Sequence, residues 1–263
     1  MPELPEVETF TRYFNEAALH QKIIDVDVSD DKILRNISSK EFIKICRGRT
    51  FVASRRVGKY LFGQMDKGGW IQFHFGMTGD FLLYGSDEAP PKYERFHFLL
   101  EDGMKLGFDC PRKFARIVHT GSLDVYIEEK NLGKDALEVT EEEFLSFTEG
   151  RSGTLKGFLL NQKWIAGIGN LYADEMCYQC LVHPASVTGK IPKRKRKQLH
   201  RSMLDILQTA IKRTAYYKEY PEGWFWEWRD VDKKGPKGYG KIAVDKIGGR
   251  TTYFFPKVQK LYT

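Results

Sequence analysis

With 263 residues, 41% of them hydrophobic and 14% aromatic, the chain is long and apolar enough for one large globular domain or two modest ones. No run of eighteen apolar residues is present, which excludes a membrane-spanning helix, and four scattered cysteines (Cys46, Cys110, Cys177, Cys180) suit a reduced intracellular protein rather than a disulfide scaffold. The formal charge of +7 is unevenly spread: residues 187–263 carry 19 Lys and Arg against 7 Asp and Glu, so a basic part (net +12) adjoins a mildly acidic remainder (−5) and is expected to bind a polyanion.

In chain order, the acidic, proline-punctuated start is unlike a secretory or transit peptide. Val7, Phe10, Tyr13, Phe14 and Ala17 recur at helical spacing and predict a helix over residues 7–18. Strands are predicted at 23–28, 50–56, 70–75, 96–100, 104–108 and 116–119, with Glu101-Asp102-Gly103 as a hairpin turn. Strands packed on strands with a helix alongside imply a β-sandwich domain over residues 1–130. Residues 131–139 read as a linker, and Thr140 with Glu143 as a capping box opening a first helix, the two together spanning 131–150. Helices dominate 151–220. Leu199, Met203, Ile206, Leu207, Ala210 and Ile211 form an apolar stripe behind Lys193-Arg194-Lys195-Arg196-Lys197, which predicts that those five charges face outward. Residues 221–263 are glycine-richer and end in a small hairpin containing the strand 251–255. The fold class is α+β.

Two features carry chemistry. Removal of Met1 would leave Pro2 as the amino terminus, and proline is the only standard residue whose free α-amine is secondary. Such an amine titrates at about 7.7–8.0 in model peptides, so a useful fraction is unprotonated at neutral pH. Condensed with an aldehyde-level carbon it gives an iminium, an electron sink of the Schiff-base kind, with Glu3 adjacent to move protons. With Met1 attached the nitrogen is an amide and cannot attack. Taken alone, Pro-Glu-Leu-Pro-Glu also reads as a stiff extended leader. The second feature is Ile165-Ala166-Gly167-Ile168-Gly169-Asn170-Leu171-Tyr172. Two glycines permit a tight turn directly before a helix, whose N-terminus attracts an anion, and Asn170 is placed to cap that helix or to donate its amide to a phosphate. A helix at 155–162, containing Lys156, precedes the turn and makes the segment a helix–turn–helix clamp for a duplex.

Together with Gly58-Lys59-Tyr60-Leu61, Phe75-Gly76-Met77-Thr78-Gly79 and His183-Pro184-Ala185, these segments resemble the formamidopyrimidine-DNA glycosylase and endonuclease VIII family, in order and over nearly the whole chain. The resemblance implies a monomeric, bifunctional DNA glycosylase and AP lyase of base excision repair. It would act on duplex DNA carrying oxidised bases or abasic sites, through a Schiff base on Pro2 followed by β- and δ-elimination. It implies Glu3 as acid/base, Glu6 as a carboxylate ordering the N-terminal helix, and Lys59 as a phosphate ligand beside the lesion. It further implies Met77, Arg112 and Phe114 as fillers of the gap left by an extruded base, and Lys156, Asn170 and Arg250 as DNA-binding residues. The family commonly ends in a finger with two CxxC pairs on zinc. Here Phe255 and Val258 stand at the second pair and residues 233–246 contain no cysteine, so no Cys₄ site can form and no cofactor or metal is expected. Phe254, Phe255 and Val258 are expected to form a small apolar core in a zincless finger. Cys177 and Cys180 continue a helix and lack a second CxxC, which argues against a metal there.

Two other function classes fit less well. Small tautomerases use an amino-terminal proline as a base, but their chains are far shorter and lack a basic half. A non-enzymatic damage-binding protein on the same scaffold would need loss of Pro2, Glu3 or Lys59, and all three are present. The preferred base stays open among oxidised purines, oxidised pyrimidines and hydantoins. The purine-specific branch usually has a serine- and glycine-rich loop before the finger, whereas residues 220–228 read Tyr-Pro-Glu-Gly-Trp-Phe-Trp-Glu-Trp. These rings suit either stacking on an extruded base or packing of the finger.

Overall fold

Pro5 sits in the first turn of helix α1 (Leu4–Ala18), where its missing N–H has no helical partner to lose. Glu6 Oε2 accepts the Glu3 backbone N–H at 2.9 Å, so the helix is closed at its start and begins three residues before the apolar periodicity does. The computed structural model describes residues 1–231 and 233–263, which divide into two units, Met1–Asn131 and Leu132–Thr263.

In the first unit the strands are β1 (Ile23–Val28), β2 (Phe51–Val57), β3 (Tyr60–Met65), β4 (Trp70–His74), β5 (Asp80–Gly85), β6 (Glu94–Leu100), β7 (Met104–Asp109) and β8 (Arg116–Thr120). They form two four-stranded antiparallel sheets, ordered β1-β6-β7-β5 and β2-β3-β4-β8. Phe14 of α1, Phe51, Phe73, Phe81, Phe96 and Phe108 are buried in one shared cluster, with Phe96 stacked on Phe108 at 5.3 Å. Each such ring contributes about 1.5–3 kcal/mol by leaving water. Two short helices escaped the periodicity, α2 (Ser39–Cys46) and α3 (Leu123–Glu129). Both are too short for a clear stripe, although Ser38 and Glu41 form a capping box on α2.

The second unit corrects the linker expected over residues 131–139. Lys134–Asp135 (β9) pairs in parallel with Ile165–Ala166 (β10), and Ala136 and Val139 are buried, so this segment is part of the unit's structure. The helices are α4 (Glu141–Thr148), α5 (Leu155–Leu160), α6 (Asn170–Gln179) and α7 (Lys193–Lys212), with α7 packed on α4 and α6. The basic run at the start of α7 does not face outward as a block. Arg196 is 6% exposed and its guanidinium donates to Glu149 Oε2 (2.6 Å) and to the Leu145 carbonyl (3.3 Å) at the end of α4. Unpaired carbonyls at a helix C-terminus draw a cation in. Lys197 pairs with Glu141 at 2.5 Å and Lys195 donates to the Cys180 carbonyl, which leaves Lys193 and Arg194 as the outward charges.

The finger is a hairpin of β11 (Ala243–Ile247) and β12 (Arg250–Phe254), joined by Gly248-Gly249 with φ of +60° and +75°. A two-residue turn with both φ values positive matches the twist of the strands and favours glycine. Phe255 is fully buried with Tyr178 and Phe225, and Val258 packs at the edge of that cluster. Phe254 departs from the expected trio: it lies outside this cluster, against the His183 ring at 4.3 Å. Strand alternation sends neighbouring side chains to opposite faces.

Candidate active site and nucleic-acid interface

In the first unit, Glu3 and Glu6 are 4% and 9% exposed at the start of α1, directly after Pro2. Lys59 follows Gly58, whose φ of +56° makes the tight β2–β3 turn, and is only 8% exposed. Arg56 pairs with Glu8 of α1 at 2.7 Å and donates to the Gly58 carbonyl at 3.1 Å, which ties this turn to the helix that begins beside Pro2. Burying the stem of a lysine in a site this dry strengthens whatever its ammonium meets.

Gly76 has φ of +61°, and a Cβ there would lie 2.4 Å from the Phe114 backbone. That close approach sets the 76–79 turn against the 112–115 segment and brings Met77 near Phe114. Met77 is 41% and Phe114 56% exposed, so neither serves the core. Arg112 is exposed on the same segment. Exposed large apolar side chains of this kind are suited to entering a base stack.

His74 is a residue the sequence reading missed. Its Nδ1 accepts the Gly76 N–H at 3.2 Å, so the proton of the neutral ring sits on Nε2. Burial first, then Arg116 and Lys59, lower its pKa to about 4, making it a neutral donor at physiological pH. It lines a cavity of about 500 Å³ with Arg35, Arg116 and Lys130. The available signal was a polar residue closing an apolar strand.

In the second unit, Gly169 rather than Asn170 is the N-cap of α6. Asn170 is the first helical residue, and its Nδ2 donates to the Thr251 carbonyl at 3.1 Å. Gly248 approaches α5 so closely that a Cβ would meet Gly157 at 3.0 Å. The hairpin is thereby held against the glycine turn, and exposed Arg250 is placed near Asn170 and the N-terminus of α6, an anion-attracting arrangement.

Lys156 corrects the expectation of a direct DNA contact. It is fully buried, its Nζ lies 2.5 Å from Asp174 Oδ1, and Arg229 Nε holds the other carboxylate oxygen at 3.1 Å. Burial pushes the Asp174 carboxyl up and the Lys156 ammonium down, each opposed by the partner charges. Lys156 therefore acts inside the unit and faces no phosphate. Asp174 and Glu175 were also missed, because a pair of acids on a helix reads as a solvated face. Cys177 and Cys180 are buried, and burial pushes the Cys180 thiol up to about 11 and raises the Cys177 thiol well above its ordinary value, which disfavours the thiolates a metal needs.

Residues 1–117 match the formamidopyrimidine-DNA glycosylase N-terminal domain, and residues 132–219 match the H2TH domain of formamidopyrimidine-DNA glycosylase. The chain belongs to the formamidopyrimidine-DNA glycosylase family. Among its glycosylase relatives, the formamidopyrimidine-DNA glycosylase of Arabidopsis thaliana is 34% identical over all of this chain and 72% of its own length. That of Pelotomaculum thermopropionicum is 31% identical over 99% of this chain and its own full length. Among solved structures, Lactococcus lactis Fpg in complex with DNA containing N7-benzyl-Fapy-dG is 25% identical, with a TM-score of 0.88 over 98% of this chain and 100% of that one. The same enzyme non-covalently bound to DNA containing an abasic site is 26% identical, again at 0.88, over 98% of this chain and 99% of that one.

Proposed function

We infer that this glycosylase-family chain is a bifunctional DNA glycosylase and AP lyase of base excision repair, acting on duplex DNA with damaged bases or abasic sites inside the cell. The observation that carries the reading is the start of α1, where Pro2 precedes two buried carboxylates and the helix is tied to the turn bearing buried Lys59. With Met1 removed, the Pro2 nitrogen attacks C1′ of the damaged nucleotide. The glycosidic bond breaks and the base leaves with its electron pair and a proton. Ring opening gives the iminium, with Glu3 placed for proton transfer. The iminium withdraws electrons as C2′ loses a proton and the 3′ phosphate departs; loss of a second proton then expels the 5′ phosphate, and water releases Pro2. Lys59 balances phosphate charge in this scheme, while Met77, Arg112 and Phe114 occupy the emptied stack and Asn170 and Arg250 grip the backbone. A purely binding role is disfavoured, because it would leave Pro2, Glu3 and Lys59 without a task. Borohydride trapping on an abasic duplex tests the reading, with the amino terminus checked by mass spectrometry. A processed protein that forms no covalent adduct would refute it.

We also propose that the finger stands without zinc. The residues present do not fit the metal: Phe255 and Val258 offer no ligand atom, and Phe255 instead fills an aromatic cluster beneath which Gly235 leaves no room for a Cβ, at 2.3 Å from the ring. A metal-dependent finger takes its folding free energy from the ion. EDTA should therefore leave both trapping and Tm unchanged, whereas Phe255→Ala should lower stability by about 3 kcal/mol or more. One equivalent of tightly held zinc per chain would overturn this.

A further inference from the structure

The β2-β3-β4-β8 sheet has two functional-looking ends, and the chemistry uses only one of them. Lys59 lies on the β2–β3 turn, whereas the β3–β4 turn at 66–69 is a strand's length away, about 20 Å at roughly 3.3 Å per residue. In the register of β4 and β8, His74 faces Arg116 at the first end, and Ile71 faces His119 towards the other. Between α2, the β3–β4 turn and His119 lies a cavity of about 390 Å³.

Its floor and rim differ in kind. Ile37 and Ile45 pack on the phenylalanine cluster from outside and stay partly exposed, giving an apolar floor. Lys44 and Lys67 are exposed at the rim and Arg49 is half-buried there, and none of the three forms an ion pair among the described residues. The rim's carboxylate, Glu41, is already engaged: its Oε2 accepts the Ser38 N–H at 2.9 Å and the Ser38 hydroxyl at 2.7 Å.

The walls are close-packed. Gly69 has φ of +93°, and a Cβ there would lie 2.4 Å from the Thr120 carbonyl oxygen, so the turn is pressed against β8. The His119 ring bonds through Nε2 to the Gly68 carbonyl and closes the same corner. Asn36 occupies the outer edge of β8, where its Nδ2 donates to the His119 carbonyl at 2.6 Å and its Oδ1 accepts the His119 N–H at 3.0 Å. A partner therefore cannot extend the sheet here and must be recognised through side chains.

We propose that this groove docks an acidic peptide segment of a partner protein, with an aliphatic side chain on Ile37 and Ile45 and carboxylates on Lys44, Arg49 and Lys67. An apolar floor ringed by cations complements a segment that mixes aliphatic and acidic residues. Nucleic acid fits less well, because the groove's only ring is the His119 imidazole and phosphates have no use for the isoleucines. Since Lys59 and His74 stand at the other end of the sheet, peptide and duplex should bind together. The groove's affinity does not depend on the glycosylase reading.

The test begins by panning a random dodecapeptide library on the full-length wild-type protein. It should enrich sequences combining Asp or Glu with Ile, Leu or Val. A fluorescein-labelled peptide from that pool should bind with an affinity that falls as salt rises. Arg49→Glu and Lys67→Glu should each weaken binding about tenfold, while Lys193→Glu, at an exposed cation of the second unit, should leave it unchanged. Should a reversal lose its cooperative melting transition, the double variant Lys44→Gln, Lys67→Gln removes the same charges without adding any. Absence of such enrichment, or an equal loss in Lys193→Glu, would overturn the groove as a specific site. Displacement of the peptide by saturating undamaged duplex would overturn it too, and would assign this face to nucleic acid.

Discussion

The two units bury different things. The sandwich encloses a cluster of phenylalanines, and the site charges it buries, Glu3, Glu6 and Lys59 at 4–9% exposure, lie apart from that cluster, on the start of α1 and on the β2–β3 turn. The helical unit places Lys156, Asp174, Glu175 and Arg196 inside, at 6% exposure or less. A core made of apolar area tolerates volume-conserving change, whereas buried charge is stable only while every partner is in place. Chemistry and stability should therefore separate in the first unit and coincide in the second.

The largest effect expected is on chemistry in the first unit. Pro2→Gly should abolish most borohydride trapping and base excision while leaving Tm within a few degrees, because Pro2 contributes little to the core. Undiminished trapping with a verified processed terminus would remove Pro2 as the nucleophile. In the second unit, Asp174→Ala strands Lys156 and Arg229 without their carboxylate and should cost about 3–5 kcal/mol, read as a lower denaturant midpoint. A loss below about 1 kcal/mol would mean that the buried network relaxes as easily as a phenylalanine core.

Glu175 sharpens the comparison through pH. Burial, partly offset by hydrogen bonds from Gln179, Phe225 and Trp226, raises its pKa from 4.5 to about 7. The folded state then holds a proton that the unfolded state gives up, so the contribution is fully present below the unfolded value of 4.5 and is lost as pH rises through about 7. Glu175→Gln should flatten the pH profile of the unfolding free energy between pH 5 and pH 8 by up to about 3 kcal/mol. A profile identical to that of wild type would place the carboxylate's titration elsewhere. The smallest effect belongs to exposed charge. Arg250→Ala should reduce the salt slope of duplex binding by roughly 0.9 for each phosphate it no longer neutralises, whereas Lys156→Met should leave that slope unchanged. A slope altered by the buried lysine and not by the arginine would invert the assignment.

Periodicity and turn chemistry made most strands, α1, the Thr140 cap and the hairpin legible, because each rests on residues close in sequence. The turns carrying Lys59 and Met77 were legible from their glycines, and Pro2 stood out as a residue just before the first helix. Lys156 and the 193–197 run were misread for one reason: charge in sequence carries no label for inside or outside. Lys156 lies within hydrogen-bonding distance of Asp174 eighteen residues away, and Arg196 reaches Glu149 forty-seven residues back. Asn170 was misplaced by one residue, since a glycine with extended backbone serves as N-cap without any side-chain signal.

Sequence by itself determined the α+β class, the absence of finger thiolates and the charge asymmetry, all of which are local or additive properties of the chain. Tertiary structure decided which charges are buried, that His74 is a neutral donor, and that Tyr217, Tyr220, Trp224, Trp226 and Trp228 line a cavity while Phe225 fills a core. Burial and partner geometry arise only when distant segments meet, and for an ionisable or aromatic side chain those two quantities decide whether it supports the fold or meets a ligand.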